Sequence, residues 1–351
     1  MKKYLTNAEI LDLAVGVVDH EETDGILHMY KCLREQISAY WKLSDNLGEW
    51  SARTTGVRLD FVTDSSFFEF KIVVGKKFEL FVNGVREDFI ESGAGSVFCK
   101  ALDNSKGENR LTLIFPNHEA GAIEEVALED GASYSRYKHT YGKKILFFGD
   151  SITQGWDTKY DSNCYAYQVS LRYDADTVIF GVGGAYFHGS IAPSRDDYHP
   201  DVVIVALGAN DHRFGIEKLD ENMHAFLDRL VPVYKNSQII GMSPIGGVGH
   251  GDEPTDFDIR IAEIFAEYGI ECISARPLVS PDADNFADRY HPNDKGYIEY
   301  ADNLIPILDK TLSEFDNVTV INNDIMKTDI KELVDKYSGG MPVSVCANLP
   351  Y

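Results

Sequence analysis

Residues 143–155 read Lys-Lys-Ile-Leu-Phe-Phe-Gly-Asp-Ser-Ile-Thr-Gln-Gly, and they constrain the fold more than any other stretch of the chain. An uninterrupted apolar run is typical of a strand buried on both faces, as in a parallel sheet covered by helices. Gly149 permits a sharp turn at the carboxyl end of this strand, where open α/β sheets place their active sites. The pattern predicts that Ser151 is a nucleophile; the alternative is that Asp150 and Ser151 only cap the next helix.

From residue 142 onward, apolar strands alternate with amphipathic helices, which predicts a parallel sheet with helices on both faces. Three further polar or glycine-rich segments stand after the second, third and last predicted strands, at 181–184, 208–211 and 288–294. Because the carboxyl ends of parallel strands meet at one edge of the sheet, we expect all four segments to converge there.

The side chains of these segments supply the parts of an acyl-transfer site. Ser151 is the predicted nucleophile, His291 the base that takes its proton, and Asp288 the carboxylate that orients the imidazole ring. The predicted donors to the oxyanion are the backbone N–H groups of Ser151 and Gly184 and the side-chain amide of Asn210.

Other residues near the four segments are expected to line a pocket or to stabilise the turns. Asp150 and Asp211 fit a structural role, since aspartates in turns commonly bond to nearby backbone. Packing on the first helix is an alternative for Trp156. The possible pocket residues are Asp150, Gly183, Trp156, Tyr186, His188 and His212.

Together the four segments resemble the SGNH hydrolases, also called GDSL-type esterases. The matching blocks, within about residues 142–313, are Gly149-Asp150-Ser151, Gly183-Gly184, Gly208-x-Asn210-Asp211 and Asp288-x-x-His291. The resemblance implies a flavodoxin-like three-layer α/β/α domain, no cofactor, no metal, and ester hydrolysis through an acyl-serine intermediate. One departure is Ile179, where the family often has Asn; it leaves open whether Gly183 or Gly184 donates, and we favour Gly184.

Residues 1–140 differ from the rest, with short alternating or aromatic-rich runs separated by turn signals. This spacing predicts an all-β sandwich or jelly-roll accessory domain before a hydrolase domain at 141–313. Trp41 and Trp50 are expected in the core of that sandwich, with a sugar-binding platform as the alternative. The paired arrangement resembles two-domain carbohydrate esterases, such as family 2 enzymes, that remove acetyl groups from plant polysaccharides.

The tail at 314–351 resembles a fragment of the rRNA adenine dimethyltransferases. Asp324 matches the acidic residue that contacts S-adenosylmethionine in that family, and 348–351 match its Asn-Leu-Pro-Tyr motif. No glycine-rich cofactor loop precedes these residues, and the tail has no basic stretch for RNA. We interpret it as a non-functional remnant, a fused fragment or a gene-model artefact, with methyl transfer as the alternative.

Composition limits the partners. The formal net charge of −23 argues against nucleic acid and anionic lipid, so neutral or cationic partners are expected. No apolar run is long enough to span a bilayer, and no signal-peptide core follows Lys2 and Lys3. This predicts a cytoplasmic protein, with a protein whose signal peptide has been removed as the alternative. The five cysteines form no Cys-x-x-Cys pair, which favours reduced thiols over disulfides or a zinc site.

The leading interpretation is a serine esterase that removes short-chain, in particular acetyl, groups from sugars or oligosaccharides. One alternative is a lipid-directed esterase or thioesterase, which needs a more apolar groove than Trp156, Tyr160 and Tyr186 suggest. Another is a carbohydrate-binding protein with an inactive hydrolase domain. The sequence does not indicate the oligomeric state.

Overall fold

A computed structural model describes residues 1–105 and 107–312. The predicted tail at 314–351 therefore lies outside the described residues. Met1–Ala301 form one compact unit. The elements of the first 140 residues are β1 (Lys2–Tyr4), α1 (Asn7–Leu13), β2 (Ala14–Val15), β3 (Asp19–Thr23), β4 (Ile26–Tyr30), α2 (Arg34–Leu43), α3 (Asp45–Ser51), β5 (Arg58–Thr63), β6 (Phe67–Val74), β7 (Lys77–Val82), β8 (Val85–Glu91), β9 (Val97–Ala101), β10 (Asn109–Ile114), β11 (Ala122–Glu129) and β12 (Tyr134–Arg136).

Two antiparallel sheets dominate this N-terminal part, in the orders β1-β11-β6-β9 and β12-β5-β10-β7-β8, with β2 paired to β5. Side chains alternate along β6, so that Phe68, Phe70 and Ile72 are buried while the residues between them are partly exposed. They share a core with Leu59 and Leu113 of the other sheet. The predicted sandwich is confirmed, because each sheet buries one face against the other.

The strand-rich pattern did not predict α2 and α3. Ile37, Tyr40 and Leu47 on these helices join the hydrophobic cluster of the following α/β domain rather than the core of the sandwich. The expectation that Trp41 and Trp50 lie in the sandwich core is therefore wrong. Trp41 lies on α2 and is 48% exposed, and Trp50 lies on α3.

The second part alternates strands and helices as expected. Its parallel sheet has the order β14-β13-β15-β16-β17, which is the flavodoxin-like order 2-1-3-4-5. Among the residues that the structure describes, no helix has the length and apolarity to cross a membrane. The elements are β13 (Tyr141–Gly149), α4 (Ser151–Gln154), α5 (Tyr165–Tyr173), β14 (Ala175–Gly181), β15 (Val202–Ala206), α6 (Ile216–Val233), β16 (Gln238–Met242), α7 (Asp256–Glu267), β17 (Glu271–Ile273) and α8 (Asp294–Leu312).

The position of β13 at the switch point of this sheet determines where a site can form. Its neighbours β14 and β15 continue in opposite directions across the sheet, which leaves a crevice at its carboxyl end. Gly149 is required at that end, since a Cβ there would lie 2.0 Å from the Thr153 hydroxyl oxygen. The fold thus places residue 151 at the crevice, while the domain limits at 140 and 313 stay predictions.

Candidate active site

Ser151 is the first residue of the short helix α4. Asp150 caps this helix, with its Oδ1 accepting the Ile152 N–H at 2.9 Å. Gly155 ends the helix in the left-handed region, at φ +80°. Because Asp150 makes the capping bond, the Ser151 hydroxyl is available to other partners. Ser151 is 9% exposed.

The Ser151 hydroxyl lies 3.0 Å from His291 Nε2, although the two residues are 140 positions apart in the chain. His291 Nδ1 lies 2.8 Å from Asp288 Oδ2. The other oxygen of Asp288 accepts the backbone N–H groups of Tyr290 at 2.6 Å and His291 at 2.7 Å. Burial opposes ionisation of Asp288, but these backbone bonds and the imidazole lower its pKa. A carboxylate thus both shapes the loop and orients the ring.

A second carboxylate near the imidazole was not anticipated from the sequence. Asp157 Oδ2 lies 3.8 Å from His291 Nδ1, and the backbone of Asp157 adopts a φ of +67°. Ligand atoms of Asp157, Asp288 and His291 lie within 4.8 Å of one another. Since Asp288 already makes the shorter contact with Nδ1, Asp157 adds negative potential behind the ring rather than a hydrogen bond to it.

The residues that carry the predicted oxyanion donors line one cavity together: Ser151, Gly184 and Asn210. Gly183 N–H donates to Gln154 Oε1 at 2.6 Å, whereas the N–H groups of Ser151 and Gly184 have no acceptor within residues 1–105 and 107–312. Asn210 Nδ2 donates one hydrogen to Ala185 O at 2.9 Å, which leaves its second hydrogen available. Of the two glycines left open by the sequence, Gly184 has the unengaged donor.

Two buried carboxylates lie beneath the site. Burial raises the pKa of Asp150 to about 6 and that of Asp211 to about 7. Asp211 Oδ2 accepts the Phe187 N–H at 3.3 Å, so both aspartates bond to backbone. Asp150 was also a possible pocket residue; it lines only a small buried space, because its carboxylate turns inward to cap α4.

Two open cavities flank Ser151, with volumes of about 560 and 490 Å³. Both are lined by Ser151, Asn210 and His291. His188 lines neither cavity, contrary to expectation, because its Nδ1 lies 2.8 Å from the Ser190 hydroxyl. Of the other possible pocket residues, the first cavity contains Gly183, Trp156 and Tyr186, and the second contains His212.

The N-terminal part supplies a wall of the first cavity. Leu47 and Trp50 of α3 line it, and the Trp50 ring meets the Trp156 ring edge to face at 5.3 Å. A Cβ at Gly183 would lie 3.1 Å from both tryptophan rings. This contribution of α3 was missed, because no local sequence signal shows that a helix about a hundred residues upstream docks beside the nucleophile.

The sheet order and the four convergent segments are those of an SGNH-type hydrolase. Residues 147–297 match the model of the GDSL-like Lipase/Acylhydrolase family, so the chain contains a GDSL-like acylhydrolase domain. The protein is accordingly an ester hydrolase of the GDSL type.

Solved structures share the arrangement of an N-terminal antiparallel domain and an α/β domain. A salicylyl-acyltransferase from a tetracycline biosynthetic pathway has a TM-score of 0.72 at 16% identity, covering 89% of this chain and 98% of that one. An acetyl xylan esterase from Butyrivibrio proteoclasticus has a TM-score of 0.63 at 16% identity, covering 90% and 100%. A family two carbohydrate esterase from Clostridium thermocellum has a TM-score of 0.61 at 16% identity, covering 74% and 94%. At these identities the likeness shows the fold.

A short part of the chain is similar to a different kind of protein. Ribosomal RNA small subunit methyltransferase A from Lachnoclostridium phytofermentans is 56% identical over 55 residues, and that from Clostridioides difficile is 62% identical over 55 residues. Each match covers 15% of this chain and 19% of the relative. The chain therefore spans about a fifth of the length of the curated relatives it matches.

Proposed function

We propose that this esterase hydrolyses short-chain esters of carbohydrates, acetyl esters above all, through an acyl-serine intermediate. The observation that carries the mechanism is the continuous contact from the Ser151 hydroxyl to His291 and from His291 to Asp288. This is the relation between nucleophile, base and orienting acid that acyl transfer requires.

In the proposed reaction, Ser151 Oγ attacks the ester carbonyl while His291 Nε2 takes its proton. The oxyanion receives hydrogen bonds from the N–H groups of Ser151 and Gly184 and from the amide of Asn210. Collapse of this intermediate expels the alcohol, to which His291 returns the proton. Water then attacks the acyl-serine with His291 again as base, and the acid is released as Ser151 is restored.

The preference for small acyl groups rests on the aromatic wall of the first cavity. Trp50 and Trp156 pack against the turn that contains Gly183 and Gly184. An acyl group beside the Gly184 N–H therefore contacts two indole rings. The open second cavity offers polar side chains to an alcohol such as a sugar. Related folds described as carbohydrate and acetyl xylan esterases support this class of substrate.

Acyl-chain length provides the direct test. Hydrolysis is measured across acetylated xylose and glucose derivatives and a series of p-nitrophenyl esters from acetyl to octanoyl and longer, with kcat/KM as the readout. We expect acetyl esters to be the best substrates. A tenfold preference for octanoyl or longer esters would contradict the proposal and favour a lipid-directed esterase or thioesterase.

Asn210→Ala is expected to lower kcat about 100- to 1000-fold, because one of three oxyanion donors is lost. KM should change much less, since the donor acts mainly on the charge of the transition state. Steady-state kinetics on p-nitrophenyl acetate measure both constants, and thermal unfolding shows whether loss of the bond to Ala185 O disturbs the turn. A rise in KM with unchanged kcat would assign Asn210 to substrate binding instead.

Asp288→Asn is expected to lower kcat by about two to four orders of magnitude, because an amide disfavours the productive tautomer of His291. Asp157→Asn should lower kcat by less than about threefold, since the Asp157 carboxylate lies 3.8 Å from His291 Nδ1 and makes no hydrogen bond to it. The matched pair is compared by kcat on p-nitrophenyl acetate. An equal loss in the two variants would show that Asp157 shares the orienting role.

A further inference from the structure

The two cavities beside Ser151 differ in charge from the rest of the protein. The chain has 56 acidic and 33 basic residues, yet no Asp or Glu is among the described residues that line either cavity. Three arginines do line them: Arg213 in the first, and Arg276 and Arg289 in the second. Asp288 and Asp157 lie behind His291, so the cavity walls themselves carry arginines and no carboxylate. Walls of this kind in so acidic a chain are suited to a substrate that itself carries negative charge.

The three arginines are not equally available. Arg276 is buried and forms an ion pair with Asp258 at 2.5 Å, so its charge is compensated. Arg213 donates to Gly184 O at 2.9 Å and packs over the rings of Tyr186 and Phe214. Arg289 lies over the ring of its neighbour Tyr290, 5.7 Å from the ring centroid, but forms no ion pair and no side-chain hydrogen bond with any residue that the structure describes. Its guanidinium is therefore the available cation of the second cavity.

The backbone of Arg289 is held in place beside the imidazole. Its carbonyl oxygen accepts the Val248 N–H at 3.0 Å, and a Cβ at Gly247 would lie 2.5 Å from the same oxygen. Asp288 and His291 on either side are fixed by the loop bonds described above. Because the main chain is anchored at these points, the flexible side chain of Arg289 is tethered within reach of a ligand at His291.

We propose that the alcohol part of the substrate bears a carboxylate, as in an acylated uronic-acid unit of an oligosaccharide, and that Arg289 binds this carboxylate in the second cavity. This inference rests on the proposed function, with the acyl group in the first cavity. A guanidinium offers two parallel N–H donors to a carboxylate, which gives both strength and orientation. An anionic substrate differs from the neutral or cationic partners that the net charge predicts. The field of the net charge is screened over about 8 Å, whereas the contact between Arg289 and the carboxylate is direct.

The test compares two substrates that differ in one group: methyl glycosides of glucuronic acid and of glucose, acetylated at the same hydroxyl. The wild-type protein should show about tenfold or higher kcat/KM for the acetylated glucuronide, the effect of one charge-assisted hydrogen-bonded pair. Arg289→Gln should reduce that ratio to about one, mainly through KM, and added salt should reduce it in the wild type. Arg229→Gln, which removes an exposed arginine of α6 that donates to Gly189 O, is the matched control and should keep the wild-type ratio.

Equal kcat/KM for the two glycosides in the wild type, or a preference that persists in Arg289→Gln, would overturn the inference while leaving the esterase proposal intact. Failure to hydrolyse either acetylated glycoside, with rapid turnover of octanoyl esters, would overturn the proposed function and this inference with it. Inhibition by the unacetylated methyl glucuronide provides a second readout: it should weaken in Arg289→Gln and not in Arg229→Gln.

Discussion

Replacing Ser151 with alanine is expected to lower kcat for ester hydrolysis by about 10⁶-fold. The hydroxyl at 3.0 Å from His291 Nε2 is the group that forms the acyl-enzyme, and alanine leaves no atom to attack the carbonyl. Residual hydrolysis should come from the oxyanion donors and from substrate positioning, which remain in the variant. Initial rates on p-nitrophenyl acetate measure the loss. In the wild-type protein, mass spectrometry after treatment with a phosphonate ester should locate the adduct on Ser151.

Ser190→Ala is the matched control for the loss of a serine hydroxyl near this edge of the sheet. The Ser190 hydroxyl contacts His188 and lines neither cavity, so its removal should leave hydrolysis within about twofold, as for surface substitutions. If Ser151→Ala retained wild-type turnover with both esters and acetylated sugars, the nucleophile would have to be assigned elsewhere.

The second large effect is expected for His291→Ala, which should lower kcat by about 10⁴-fold or more. Without the imidazole, the hydroxyl of Ser151 has no base beside it, and the leaving alcohol has no acid to protonate it. The double variant that combines Ser151→Ala with His291→Ala should have the same kcat as Ser151→Ala alone, because the two groups act as one unit. Single and double variants are compared by kcat at one pH with p-nitrophenyl acetate.

His224→Ala serves as the control for the loss of a histidine. This residue lies on α6 and pairs with Glu267 at 2.9 Å, away from both cavities, so its removal should leave kcat unchanged. Additive losses in the double variant would contradict the joint action of Ser151 and His291. They would indicate that the imidazole acts on the substrate independently of the serine.

Much of the α/β domain follows from local patterns in the sequence. The apolar run in β13 predicts a doubly covered strand, and the alternation of apolar strands with helices from residue 142 onward is observed. The N-terminal strands were also recognisable, since alternation along β6 matches a half-buried sheet. The helices α2 and α3 were missed, because they are amphipathic toward a surface of another domain that local periodicity does not reveal.

The chemical identity of the predicted triad and donors was readable from the chain because acyl transfer needs a small set of residue types after successive parallel strands. Residues whose roles depend on their tertiary contacts could not be predicted from the sequence. Asp157 near the imidazole, Trp50 beside the glycine turn and Arg289 in the second cavity are ordinary residues in the sequence. Only their neighbours in the fold distinguish them.

Three features followed from the amino-acid sequence alone: the alternation of strands and helices in the α/β domain, the turn at Gly149 and the residue types available for catalysis. They depend on hydrophobic period and backbone geometry over a few residues. The folded structure was needed to show which donors have no acceptor among the described residues, which carboxylates lie near the imidazole and which helix lines the cleft. These depend on contacts between segments as far as 140 residues apart, whose distances are set by the packing of the whole unit.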